Sequence, residues 1–318
     1  MLHFLDLEPD QATQYINAES LFKAHQRTVL EAKEVRGSMY WRSQSGAEYL
    51  IRESPSGSQK SLGPRSETTN QIYSNFKSRK ENVTARLKKL QDTLVDQQRL
   101  NKALRVGRVP NLVVKTLNAI ADAGMAEHFT TIGTYALYAY ESAAGVRVYP
   151  NMLATIDIDL LFDSRKRLSF FTQLQKKNKK DGIKSLIEVL KIADPSFKVR
   201  SDQKETAVND KGFEVDIVRR IARDGDPHPL RMSDDEEDLW AVQVAGADTI
   251  LGAPRFSQMV VAETGHMAMM TTMSPKVFVT IKKMIAASPN RDPRKRNKDA
   301  LQATVVAELI HQRLPQFK

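Results

Sequence analysis

Residues 154–163 read ATIDIDLLFD. Five β-branched or aliphatic side chains and a Phe in ten positions favour a strand. Strand side chains alternate faces, so Asp157 and Asp159 share one face, while Ile156, Ile158 and Leu160 are expected to point into a core. Two neighbouring carboxylates repel each other and weaken a sheet on their own. A divalent cation between them reverses the sign of that interaction. The same spacing also fits a solvated strand face with a negative rim.

Upstream, FTTIG (129–133) reads as a strand that ends in glycine, and TYALYAYESAA (134–144) reads as a helix. Gly133-Thr134 therefore sits at a strand-to-helix junction. A helix start offers free N–H groups, glycine lets a phosphate approach the backbone, and the Thr hydroxyl can donate. A Gly-Thr pair alone also fits a plain tight turn. Downstream, a basic helix (165–180), a second helix (183–192) and the strand signal FKVR lead to GFEVDIV (212–218). Here Phe213, Val215 and Ile217 share one face and Glu214 and Asp216 the other. Asp216, between apolar neighbours, is the better third ligand, and Glu214 belongs to the rim. The β-α-β-α-β order favours an α/β core. With helical and hairpin segments on either side, the chain is of α+β class.

The chain has 318 residues, no cysteine, and 48 Lys and Arg against 38 Asp and Glu, a net charge of +10. The length suits about two packed units. An apolar content of 41% is enough for a core. Without cysteine there is no disulfide scaffold, iron–sulfur cluster or thiol nucleophile. The six histidines show no zinc-ligand spacing. No P-loop and no G-x-S-x-G elbow is present. No run approaches a membrane span, and the first residues lack a secretion signal, so a cytoplasmic protein without a membrane partner is expected. The positive charge favours polyanionic partners.

Further out, a helix is expected over 11–35, then a hairpin, SMYWRS and AEYLIRE, around Gly46. A long polar helix over 67–104, with one narrow apolar stripe, is expected to pack on a partner. Gly107 and Pro110 mark a boundary. The C-terminal part reads as a strand pair around Gly265, with Met-rich HMAMMTTM as packing, and two helices, 275–287 and 293–312. DDEED (234–238) reads as a loop or helix start. The expected regions are 1–106, 107–232 and 233–318.

The sequence of signals, IGT, then DIDL, then VDI, resembles the pattern hG[GS], [DE]h[DE]h, h[DE]h of the polymerase-β-like nucleotidyltransferases. Thr134 stands where that pattern has Gly or Ser, and the gap to Asp157 is longer than in minimal members. YLIRE, SLGPRS, GTYALYAYESAAGVR, ATIDIDLLFDSR, VDIVRR, APRF and RDPRKRNKDALQA also resemble the bacterial family NTP_transf_8, a relative of the AbiEii and MenT-type toxins. The resemblance implies a mixed sheet with flanking helices and a magnesium (or manganese) site at Asp157, Asp159 and Asp216. It implies an NTP held by Gly133, Thr134 and Lys283, the Lys matching the family pattern. The run Arg291, Arg294, Lys295, Arg296 and Lys298 opens the last helix and reads as a phosphate-facing patch, with Arg294 and Lys298 as nucleotide contacts; such a run also fits a solvated helix face. NMP would pass to an RNA, such as a tRNA 3′ end, or to a protein hydroxyl, in a toxin or defence setting. The N-terminal region would supply specificity, a homo-oligomer contact or a partner surface. The competing expectation is a non-catalytic nucleic-acid or partner-binding protein on a degenerate scaffold of the same fold.

Overall fold

The structure is a computed structural model that describes residues 3–223 and 225–318, with backbone alone for 177–181. In chain order it comprises β1 (Phe4–Asp6), α1 (Pro9–Glu34), β2 (Ser38–Gln44), β3 (Ala47–Glu53), β4 (Gln59–Pro64), α2 (Glu67–Ala103) and α3 (Asn111–Asp122). Then follow β5 (Phe129–Ile132), α4 (Ala136–Ala144), β6 (Val146–Val148), β7 (Asp157–Phe162), α5 (Arg167–Asp181), α6 (Leu186–Ala193), β8 (Lys198–Val199) and β9 (Thr206–Val208). The last elements are β10 (Glu214–Arg219), β11 (Leu230–Arg231), β12 (Trp240–Gln243), α7 (Ala247–Gly252), β13 (Arg255–Val261), β14 (Met267–Met273), α8 (Pro275–Ala287) and α9 (Pro293–Gln312). Two compact units result: Thr13–Leu104, and Met1–Ala12 together with Arg105–Lys318.

The smaller unit is a helix pair with a three-stranded sheet. Gln14 Nε2 donates to Gln97 Oε1 (2.8 Å) and Asn101 Oδ1 (3.0 Å), while Arg86 pairs with Glu31 and Arg79 with Glu34. Rising numbers on α1 meet falling numbers on α2, so the helices are antiparallel. α2, at about 1.5 Å per residue, runs for about 55 Å. Its N-terminus is closed by a reciprocal capping box between Ser66 and Thr69. Phe22, Val83 and Leu94 are buried, but Ile72 and Leu100 of the expected stripe are largely exposed. The hairpin of β2 and β3 turns on Ser45 and Gly46, both with positive φ.

In the larger unit one mixed sheet has the order β11-β12-β10-β7-β5-β14-β13, with β9 also on β10 and β8 on β9. β7, β10 and β12 run parallel, and β5 is antiparallel to β7. Beyond the acids at their start, β7 and β10 are buried on both faces, as covered parallel strands are. Ile158, Leu160, Leu161 and Phe162 of β7 and Val215, Ile217 and Val218 of β10 are all buried. Ile156 is an exception to the expected inward face. It precedes the strand and is 68% exposed. Met267, Met270 and Met273 of β14 are core residues, and the Tyr140 hydroxyl donates to the Met273 carbonyl at 2.8 Å. β1 pairs with β6, so residues 4–6, which the sequence grouped with 1–106, belong to the larger unit. DDEED lies in a loop. Its Asp238 accepts from the N–H groups of Leu186 and Ile187, both at 2.9 Å, and so caps α6 from a distant part of the chain.

Candidate active site

β7 and β10 pair in parallel register with Asp159 opposite Asp216 and Asp157 opposite Glu214. Side-chain alternation puts all four acids on one face. Carboxylate oxygens of Asp157, Asp159 and Asp216 lie within 4.8 Å of one another. Glu214 is drawn off by Arg200 at 2.7 Å, an arginine that also holds Asp202 at 2.8 Å. The group that converges is thus the three aspartates.

Each carboxylate has its own surroundings. The Thr155 hydroxyl donates to Asp157, and the Thr206 hydroxyl donates to Asp216 at 2.5 Å. Burial raises the Asp216 carboxyl above the ordinary range against the pull of Thr206. Asp159 neighbours both others, two residues along β7 from Asp157 and opposite Asp216 on β10. Burial and then the charges of Asp157 and Asp216 push its carboxyl up to about 7. Among the described residues, no other group of three His, Asp or Glu side chains converges in this way. The donor set is hard oxygen, mutually repulsive and partly desolvated, and a divalent cation relieves that repulsion. These residues fit such an ion.

Gly133 follows β5, beside Asp159 of β7, because Ile132 is the register partner of Asp159. Its φ is +66°, and a Cβ there would lie 2.3 Å from Asp159 Oδ2. Two independent constraints therefore require glycine: the left-handed backbone and the contact with the carboxylate. Thr134 is the next residue, at the turn that opens α4, and its hydroxyl accepts from Gln302 Nε2 at 3.2 Å. Gln302 is fully buried and also donates to the Met152 carbonyl at 2.7 Å.

Cations come from α8 and α9. The sequence pointed to Lys283, but that side chain is exposed, and Lys282 is the buried one. Lys282 Nζ holds Asp299 Oδ1 at 2.7 Å, and Arg291 holds Asp299 Oδ2 at 2.7 Å. The Lys282 charge reaches Asp159 and lowers its carboxyl, as does that of Lys295. Helical period explains the choice: Phe278, Ile281, Lys282 and Ile285 fall on one face at i, i+3, i+4 and i+7, and Lys283 falls off it. Lys298 lies within reach of the Asp157 charge. Its Nζ donates to the Ala154 carbonyl at 2.6 Å, and burial together with Lys282 lowers its pKa while Asp157 raises it. Arg294 does not join. It is 91% exposed and pairs with Asp292 at the helix start. Lys295, Lys298, Asp299 and Gln302 repeat the i, i+3, i+4, i+7 spacing. That spacing could have selected Asp299 and Gln302 from the sequence, and Lys295 and Lys298 over Arg294 within the basic run.

The family model NTP_transf_8, described as a nucleotidyltransferase, matches residues 111–318. The chain belongs to this nucleotidyltransferase family. No curated protein and no solved structure matches it. The matched residues hold all three aspartates, Gly133, Thr134 and both cationic helices. Among the described residues no helix is long and apolar enough to cross a membrane.

Proposed function

We propose that the protein is a polymerase-β-like, divalent-metal-dependent nucleotidyltransferase that moves an NMP from an NTP to a hydroxyl of an RNA. The observation that carries this reading is the convergence of Asp157, Asp159 and Asp216 beside Gly133 and within reach of the charges of Lys282 and Lys295. A protein that only bound polyanions would gain nothing from three clustered carboxylates. Asp157, Asp159 and Asp216 hold the ions, which are magnesium or manganese. When bound, these supply charge neutralisation for the triphosphate and activation of the attacking hydroxyl.

The remaining roles fall to the chain. The Gly133-Thr134 turn presents backbone N–H groups to the phosphates. Lys282, Lys295 and Lys298 offset their charge, which replaces the expected contribution of Lys283 and Arg294. Asp216 helps accept the proton of the acceptor hydroxyl. That oxygen bonds to the α-phosphorus, the bond to the bridging β-phosphate oxygen breaks, and pyrophosphate leaves.

An RNA acceptor is favoured by the distribution of charge. The unit Thr13–Leu104 has sixteen Lys and Arg against nine Asp and Glu, most of the chain's surplus. Such a surface attracts a phosphate backbone. The kinship with toxins named above makes a tRNA 3′ end the first RNA to try.

The test is label transfer. The full chain is incubated with each α-labelled NTP, Mg²⁺ or Mn²⁺, total RNA and lysate protein, beside an Asp157→Ala/Asp159→Ala control. Label on RNA that vanishes in the control is the expected result. Label on protein moves the acceptor to a protein hydroxyl. No label under any condition, or label that persists in the control, overturns the reading.

A further inference from the structure

The far end of β10 poses a separate electrostatic problem. Arg219, its last residue, alternates with Val215 and Ile217 onto the face opposite Asp216. It is fully buried. Its Nη2 donates to the Pro227 carbonyl at 3.0 Å and meets His228 Nδ1 at 3.1 Å. Its Nε and Nη1 are buried with no hydrogen-bond partner among the described residues, and no carboxylate there forms an ion pair with it. Asp226, whose charge reaches it, is held by Arg220 at 2.7 Å.

A cavity of about 210 Å³ opens at this point, lined in part by Ser164, Arg165, Arg167, Arg219 and Asp226. The Ser164 hydroxyl is a second buried group there without a partner among the described residues. Arg165 is engaged by Asp163 and the Leu251 carbonyl. Among the described residues, the cavity lining holds three guanidinium groups and one carboxylate, Asp226, which is itself paired with Arg220, while Arg165 is held by Asp163. A buried guanidinium with unmade hydrogen bonds is costly unless an anion completes it. Planar N–H pairs and a hydroxyl suit a tetrahedral oxyanion. The cavity is smaller than the ~300 Å³ at which pockets for drug-sized ligands begin, so it suits one such group rather than a whole nucleotide.

We infer that this pocket binds a phosphate group, at the opposite end of β7 and β10 from the three aspartates. The group is either free phosphate or one phosphate of a nucleic-acid strand. This inference stands apart from nucleotidyl transfer and does not need it.

The test is calorimetric titration of the full chain with inorganic phosphate, in chelator and at constant ionic strength. One saturable site is expected. Arg167→Gln should weaken it about tenfold, the loss of one charge-assisted hydrogen bond. Arg219→Met should abolish it. Lys295→Gln/Lys298→Gln should leave it in place, which separates it from the candidate active site. If Arg219→Met does not fold, Arg167→Gln and Ser164→Ala decide. A short RNA that displaces the bound phosphate assigns the pocket to a strand, and an RNA that does not assigns it to the free ion. Absence of saturable binding, unchanged affinity in Arg167→Gln, or loss only in the lysine variant overturns the inference.

Discussion

The two ends of the β7–β10 pair differ in the charge they leave uncompensated. At the start of the strands three carboxylates crowd together, and cations from α8 and α9 stand beside them. At the finish, Arg219 is buried with its guanidinium half satisfied. The sheet between is apolar, so neither end neutralises the other. The pairing register explains why one end is so acidic: parallel strands in register bring Asp159 and Asp216 face to face. An offset of one residue would turn Asp216 to the opposite face. Stability alone does not account for this strand pair. A fold selected only for stability would not place like charges within 4.8 Å at one end and, at the other, a guanidinium with no ion-pair partner among the described residues.

The largest expected effect comes from breaking the acidic end. Asp159→Asn should lower nucleotidyl transfer at least about a thousandfold, because a metal ligand beside two others is lost. The same variant should melt higher than the parent in chelator at pH 8. The Asp159 carboxyl sits above its unfolded pKa, so above that pKa its ionised form opposes folding. Divalent ions should reverse the order of the two melting temperatures. Unfolding curves with and without Mn²⁺ check both statements.

Gly133→Ala comes next. The added methyl meets Asp159 Oδ2 and the backbone resists φ +66°. A drop of about a hundredfold in transfer, with about 1 kcal/mol of stability lost, is expected. Kinetics beside denaturant titration separate the two effects.

A finer cut compares adjacent lysines. Lys282→Ala leaves Asp299 buried with Arg291 alone, and should cost about 3 kcal/mol. Lys283→Ala, on the exposed face, should stay within about 0.5 kcal/mol. Equal losses would contradict the assignment of the inward lysine.

Two smaller effects probe the arginine end and its surroundings. Asp238→Ala removes the cap of α6 and should cost about 1–2 kcal/mol in equilibrium unfolding. Asp163 is buried, which alone would raise its carboxyl, but the Arg165 guanidinium outweighs burial and holds it below the ordinary range. Its folded pKa is thus below its unfolded one. The stabilisation is complete above the unfolded value, about 4, and fades as pH falls through the folded value. Arg165→Gln should flatten that acid limb of the stability–pH curve.

Much of this was visible in the sequence because it depends on local periodicity. Alternation placed Asp157, Asp159 and Asp216 on common faces, and the helices around 67–103, 275–287 and 293–312 followed from composition and punctuation. What was not visible depends on burial. Lys282 and Lys283 differ only in which face of α8 turns inward, toward α9 and Tyr140 of α4, and the apolar positions Phe278 and Ile281 were the available clue. Arg294 shares a basic run with Lys298, yet one points to solvent and the other to the Ala154 carbonyl. Asp238 caps a helix some fifty residues away, a contact that only the tertiary fold creates. Arg219 drew no reading from the sequence, and its burial is a property of the packed sheet.

Electron paramagnetic resonance of Mn²⁺ titrated into the full chain shows whether the three aspartates form one divalent-metal site. Saturable Mn²⁺ binding is expected that is lost in Asp159→Asn and in Asp216→Asn, while Glu214→Gln retains it. Equal binding by the parent and both aspartate variants would contradict the shared site.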